Sequence, residues 1–290
     1  MSFKNIVTLN SHQDWITSCK KIDESTFLST SHDKTSIVWD TRTSNPVQKI
    51  KGHTDEVWCS TIIDSNQVAT GSSDKTLKIW DIRTGNEIQT LHGHQDTVYS
   101  VESWKKNLII SGSNDKTIKV WNTTTGTENE TLNGHTNSVI CLTTTTTDSF
   151  ASAGSDKKIN IWNTKSSEIV KTLHPCKTPS METYSLESLD TDKLISGHNN
   201  KKINIWNTVT GAIEKTLTNN SVDTLSITKI NDTNVVTGNS NKTVAIFDTV
   251  TGEIIETLNG HKLAVLAVEV IDSNTIISGG LDKTIKIWKK

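Results

Sequence analysis

An all-β fold made of seven copies of one four-stranded unit is what this sequence predicts, and three observations predict it. Tryptophans stand at 39, 80, 121 and 162, each 41 residues after the last, then Trp206 follows after 44, and Phe247 and Trp288 after 41 each. The periods follow one order of residues: a Gly-His, an alternating stretch, a Ser/Thr-Gly segment, an Asp-Lys or Asn-Lys turn, a strand ending in the tryptophan, and a strand ending in Thr-Leu, with departures chiefly in the first, fifth and sixth. Short β-branched runs broken by Gly, Asn and Asp at intervals of roughly eight to twelve residues argue for strands, and no segment carries a helical period.

The elements then follow in order. KNIVTL, residues 4 to 9, precedes the first repeat histidine and reads as a strand. The first unit occupies about 11–50, the second 52–91, the third 93–132 and the fourth 134–173. VATGSSDKTLKIWD (68 to 81) and IISGSNDKTIKVWN (109 to 122) each read as two strands around a tight turn. In TLKIW, Leu77 and Ile79 point to one face while Lys78 and Trp80 point to the other. Both faces must therefore be covered, as when small sheets stack side by side around a ring. The one long period holds HPCKTPS, residues 174 to 180, with two of the chain's three prolines, and reads as an enlarged loop. The fifth unit is placed at 179–217, the sixth at 220–258 and the seventh at 260–290. Leu9, Ile50, Leu91, Leu132, Leu173, Leu217 and Leu258 end the fourth strand of each unit. The first of these precedes the first histidine, and no such strand follows Trp288, so residues 3–9 are expected to complete the seventh sheet and close the ring.

The bulk numbers set bounds on function. With 290 residues, 33% hydrophobic and 21% charged, the chain can bury the core of a single domain, 1–290. Thirty basic against thirty-two acidic residues give a net charge of −2, which offers no global attraction for nucleic acid or an anionic membrane. The start, MSFKNIVTLNSHQDW, has no run of seven apolar residues, and nowhere do eighteen apolar residues follow one another. The expectation is a protein that is not secreted and does not span a membrane, placed in the cytoplasm with the nucleus left open. Cys19, Cys59, Cys141 and Cys176 are scattered, with no CxxC pair and no zinc spacing, so free thiols are expected and neither metal nor cofactor is. The sequons opened by Asn122, Asn129, Asn219, Asn231 and Asn241 follow from a composition rich in Asn and Thr.

Gly52-His53 precedes Trp80-Asp81, Gly93-His94 precedes Trp121-Asn122, Gly134-His135 precedes Trp162-Asn163, Gly260-His261 precedes Trp288, and Ser11-His12 precedes Trp39-Asp40, with 27 residues from each His to its Trp. In this the chain resembles the WD40 family over essentially its whole length. The resemblance implies a seven-bladed β-propeller of four-stranded antiparallel blades. It also implies a hydrogen-bonded chain of His, Ser/Thr, Asp and Trp in a blade. The matching residues are His12, Ser29, Asp33 and Trp39; His53, Thr70, Asp74 and Trp80; His94, Ser111, Asp115 and Trp121; His135, Ser152, Asp156 and Trp162; and His261, Ser278, Asp282 and Trp288. A single Ser/His/Asp trio would point to a hydrolase, but five similar copies read as architecture, and no catalytic residue is assigned. The fifth blade has Ser196, Asn200 and Trp206 with no histidine before them, and the sixth has Thr237, Asn241 and Phe247 with Asn220 in the histidine position. These two blades are expected to be the softer sector.

Binding residues are sought among side chains that the repeat does not require. Trp104 stands where other blades carry Ile22, Ile63 and Ile271 and reads as inter-blade core. Trp15 and Trp58 fall three and five residues after their histidines, at positions that in WD40 proteins commonly line the top face together with the residue before the turn Asp. Carried through seven blades, from Trp15, Thr17 and His32 to Ala264, Leu266 and Leu281, these positions hold four aromatics, three acids and no Lys or Arg. The expected site is therefore Trp15, Glu56, Trp58, Tyr99, Glu182, Tyr184 and Asp223, gripping an extended Lys- or Arg-containing peptide of another protein, with Asp14, Asp55 and Asp96 adding negative charge. The alternative is a phosphate-binding scaffold, for nucleic acid or phosphoinositide, that uses the ring of turn lysines Lys34, Lys75, Lys116, Lys157, Lys201, Lys242 and Lys283. The net charge makes nucleic acid the weaker partner.

Overall fold

The computed structural model describes residues 2–174, 182–218 and 222–290. The chain is an all-β, seven-bladed propeller, and each blade is a four-stranded antiparallel sheet. In six blades the strands follow one another in sequence, as in Ile16–Lys21, Thr26–Ser31, Thr35–Asp40 and Asn45–Lys51 of the first. The seventh is ordered Lys4–Leu9, Ile285–Lys289, Thr275–Gly280, Val265–Asp272, so the two ends of the chain share one sheet. Most of the segment read as an enlarged loop, with Cys176, lies outside the described residues, as does Asn220. Cys19, Cys59 and Cys141 are free thiols, and burial pushes all three up.

Burial explains the order within a blade. The second and third strands are covered on both faces, while the outermost strand buries little beyond its closing Ile or Leu, as in Asn45–Lys51, where Ile50 alone is buried. Leu77, Ile79 and Leu91 of the second blade pack with Val98, Ile109 and Trp121 of the third, so the core is a set of layers between blades. Neighbouring sheets approach closely at the Ser/Thr-Gly segment. A methyl group on Gly279 would lie 2.4 Å from Ile16 Cγ2, across the seam between the last blade and the first. All seven turn lysines have φ between 65 and 76°, the left-handed conformation that reverses the chain between the second and third strands.

Closure extends beyond strand pairing. Val7 pairs with Ile287 and Leu9 with Ile285, and Leu9 is buried. Phe3 is also buried, in a cluster with Val244, Val265 and Trp288, and its backbone N–H donates to Glu256 of the sixth blade at 2.9 Å. Lys290 Nζ lies 4.8 Å from the centre of the Phe3 ring.

Five blades carry one buried relay. In the third, His94 Nδ1 is 2.7 Å from Asp115, its Nε2 is 2.7 Å from Ser111 Oγ, and Trp121 donates to the same Oγ at 2.8 Å. His12, His53, His135 and His261 make the same contacts within their own blades. Each Asp also accepts the backbone N–H after its histidine, as Asp115 does from Gln95 at 2.9 Å, so the relay fastens a top loop. Burial raises the Asp115 carboxyl, but hydrogen bonds from His94 and Thr117, the charge of His94 and the Gln95 amide outweigh it. The carboxyl is held well below the usual carboxylate range.

The fifth blade differs from expectation. No histidine precedes its Ser196, yet His198, two residues further along the same strand, places Nε2 2.8 Å from Ser196 Oγ, and Trp206 donates to that Oγ at 2.7 Å. The geometry of another blade gives the reason. His198 occupies the place of Gly154, where a Cβ would lie 2.7 Å from His135 Nδ1, so a side chain there enters the space of the repeat histidine. Burial pushes His198 down to about 3. In the sixth blade the same place holds buried Asn239, which donates to Thr243, and Phe247 has no donor to offer Thr237.

Candidate functional site

The top face is built by the second residue of each inner strand, the loop before it and the turn before each Lys. In the inner strand Val57–Ile62, Val57 is buried between blades, so alternation turns Trp58 towards the central channel. Tyr99, Ile140, Tyr184, Leu225 and Leu266 hold the same place and line the channel cavity with Trp58.

Three of the expected aromatics form one run with a histidine between them. The His32 ring lies 4.9 Å from Trp15 and 4.4 Å from Trp58, centre to centre, and Trp58 meets Tyr99 edge to face at 5.2 Å. Trp58 Nε1 donates to Ser73 Oγ at 2.8 Å, which fixes its indole. The backbone N–H of His32 donates to the Trp15 carbonyl at 3.0 Å, so loop and turn hold each other. His32 Nε2 is buried with no hydrogen-bond partner among the described residues. Burial lowers the His32 pKa, against the pull of Glu56, Asp14 and Asp55. Trp15 remains 41% exposed at the open end of the run.

The other expected residues form a second sector. The Tyr184 hydroxyl donates to Glu182 at 3.4 Å, and Tyr184 is raised by burial, then by Glu182, with Asp223 adding to it. Glu182 is fixed by its backbone N–H, which donates to Asn199 at 2.9 Å. Trp15, Glu56, Trp58 and Tyr99 are thus on blades 1 to 3, and Glu182, Tyr184 and Asp223 on blades 5 and 6. Trp104 is half-buried against Phe150 between blades.

The loop acids are more engaged than their charge alone conveys. Asp14 lies 3.6 Å from Lys283, Asp55 lies 3.6 Å from Lys34, and Asp96 accepts Asn114 Nδ2 at 2.7 Å. The two lysines also donate to the Gln13 and Thr54 carbonyls of the following blade, at 2.9 and 2.8 Å. These members of the turn ring therefore act as ties between blades.

Below the face, the channel carries charges that the sequence reading passed over. Lys20 pairs with Glu102 at 3.1 Å, and this contact raises the lysine. Burial pushes Glu187 and Glu269 up to about 7, against the attraction of Lys20. These four side chains occupy one place in the repeat, one residue after the inner-strand residue that pairs with Ser29, Ser111, Ser196 or Ser278, and only that register reveals them. Among the described residues, no group of three His, Cys, Asp or Glu side chains is placed to hold a metal ion.

The family model for the WD domain, G-beta repeat, matches residues 3–40, 44–81, 85–122, 126–163 and 252–289. No curated protein matches the sequence. Among solved structures, a crystal structure of the WD40 β-propeller domain of Doa1 is similar in fold, with a TM-score of 0.88 and 23% identity over 99% of this chain and 97% of that one.

Proposed function

Because the chain belongs to the WD40-repeat family, whose propellers generally bind other proteins and are generally non-catalytic, we propose that it is an interaction scaffold that captures an extended peptide on its top face. One observation carries the reading: Trp15, His32, Trp58 and Tyr99 form a fixed run beside Glu56, with Trp15 left open. Flat, immobilised rings give contact area at little entropic cost, and a Lys or Arg of the partner gains both the carboxylate and the ring faces. The second sector, Glu182, Tyr184 and Asp223, gives the peptide another cation-attracting contact across the channel.

Affinity capture from extract of the native cell, with wild type against a Trp58→Ala, Glu56→Lys double variant, tests this. A partner retained by the wild type and lost by the variant supports it. Equal recovery by both contradicts it.

A further inference from the structure

The seventh blade presents a different chemistry on the same face. Leu263 is 46% exposed and stands where the first four blades carry Asp14, Asp55, Asp96 and Asn137. Leu281, before the turn Asp282, stands where every other blade has a histidine, serine or asparagine, and Leu266 lines the channel mouth. The Leu281 N–H donates to the Ala264 carbonyl at 2.9 Å, which brings turn and loop together. The next turn residue, Lys283, donates to Gln13 in the loop that bears Trp15. Leu263 and Leu281 thus stand on the loop and turn of blade 7, and Lys283, paired with Asp14, ties that turn to the loop bearing Trp15. Exposed Leu263, with half-buried Leu266 and Leu281 on the same blade, offers apolar area that a partner side chain can cover.

Resting on the top-face reading above, we infer that Leu263, Leu266 and Leu281 form an apolar subsite, and that the partner peptide carries a bulky aliphatic or aromatic residue a short, fixed distance from its Lys or Arg. The cation lies over Trp58 beside Glu56, and the apolar side chain lies on blade 7 against Trp15. Charge complementarity sets the polarity of the two ends: the carboxylate is on blade 2, and on blade 7 Leu263 stands where the first four blades carry acidic or polar residues.

The test selects random short peptides displayed on phage against the intact protein and against a Leu263→Asp, Leu281→Ser double variant. These substitutions install residues that other blades already carry at the same places, so the fold is kept, and a melting curve verifies it. The wild type is expected to enrich peptides with both a basic residue and an apolar one at constant spacing. The variant is expected to bind those peptides about tenfold more weakly, the loss for one exposed leucine-sized contact, while still enriching basic residues. Enriched peptides that are basic but have no fixed apolar position overturn the subsite and leave the acidic–aromatic reading standing. Peptides without basic residues, or no enrichment at all, overturn both.

Discussion

Blades 1 to 4 and blade 7 differ from blades 5 and 6 in how the top loop is attached to the sheet. In the five, a histidine from the loop reaches down to Ser or Thr and Asp, and that Asp also holds the loop's own backbone N–H. In the fifth, the histidine comes from the strand itself: it reaches Ser196 and, through Nδ1, the Thr183 hydroxyl at 3.1 Å, while the Glu182 N–H is held by Asn199 rather than by an Asp of a relay. The sixth substitutes Asn239 and Phe247. The same division separates the stretches that the family model matches from residues 164–251, which it does not. The comparison teaches that a blade can fill its core with or without the His–Asp relay, and that the aromatic run lies on blades whose loops the relay holds, whereas the Glu182 and Asp223 N–H groups are held by Asn199 and Ser240.

The largest effect would invert this ranking. Removing residues 1–10 takes Phe3 and Leu9 out of the core and leaves the outer edge of the strand Ile285–Lys289 unpaired, so stability should fall by roughly 3–5 kcal/mol, on the scale of lost buried anchors. Hydrogen exchange should then find blade 7 weaker than blade 6. An unchanged denaturation midpoint would reject the closure account.

The relay itself gives the next effect. Asp115→Ala strands His94, Thr117 and the Gln95 amide and should cost about 1–3 kcal/mol. Among the described residues Asn241 bonds only to Thr243, so Asn241→Ala should cost less than about 1 kcal/mol. Equal losses in urea denaturation would erase the distinction between the sectors.

His198 sharpens the comparison through pH. Its folded pKa, about 3, lies below its ordinary value, so between those two values the unfolded chain binds a proton that the native chain does not. Stability is therefore lost as pH falls below about 6.5, with a contribution of about 1–2 kcal/mol by pH 5. His198→Gln should lose that part of the acid sensitivity, whereas retention of the wild-type slope would show that His198 is not held neutral.

The repeat made much of this legible. Tryptophan spacing gave the number of blades, Leu9 and its counterparts gave the fourth strands, and the position of KNIVTL gave the closure. The top-face aromatics were legible only through the family's pattern, and their contact through His32 was not, because position 32 alone among its counterparts bears a ring. His198 escaped because a side chain can reach one hydrogen-bond site from two backbone origins, and linear spacing records only one of them. The lysine ties and the Glu256–Phe3 contact join different blades, so no single repeat contains them.

The central claim is that blades 1 to 3 bind through desolvated aromatic anchors. Titrating the captured partner peptide, and separately duplex DNA as a generic polyanion, against wild type and Trp58→Ala at two salt concentrations tests it most directly. The account predicts that the peptide loses about 2 kcal/mol or more with the tryptophan, as hot-spot residues do, and depends moderately on salt. Tight DNA binding that survives Trp58→Ala and falls with a steep salt slope, about −0.9 per phosphate neutralised, together with peptide binding indifferent to the substitution, would contradict it.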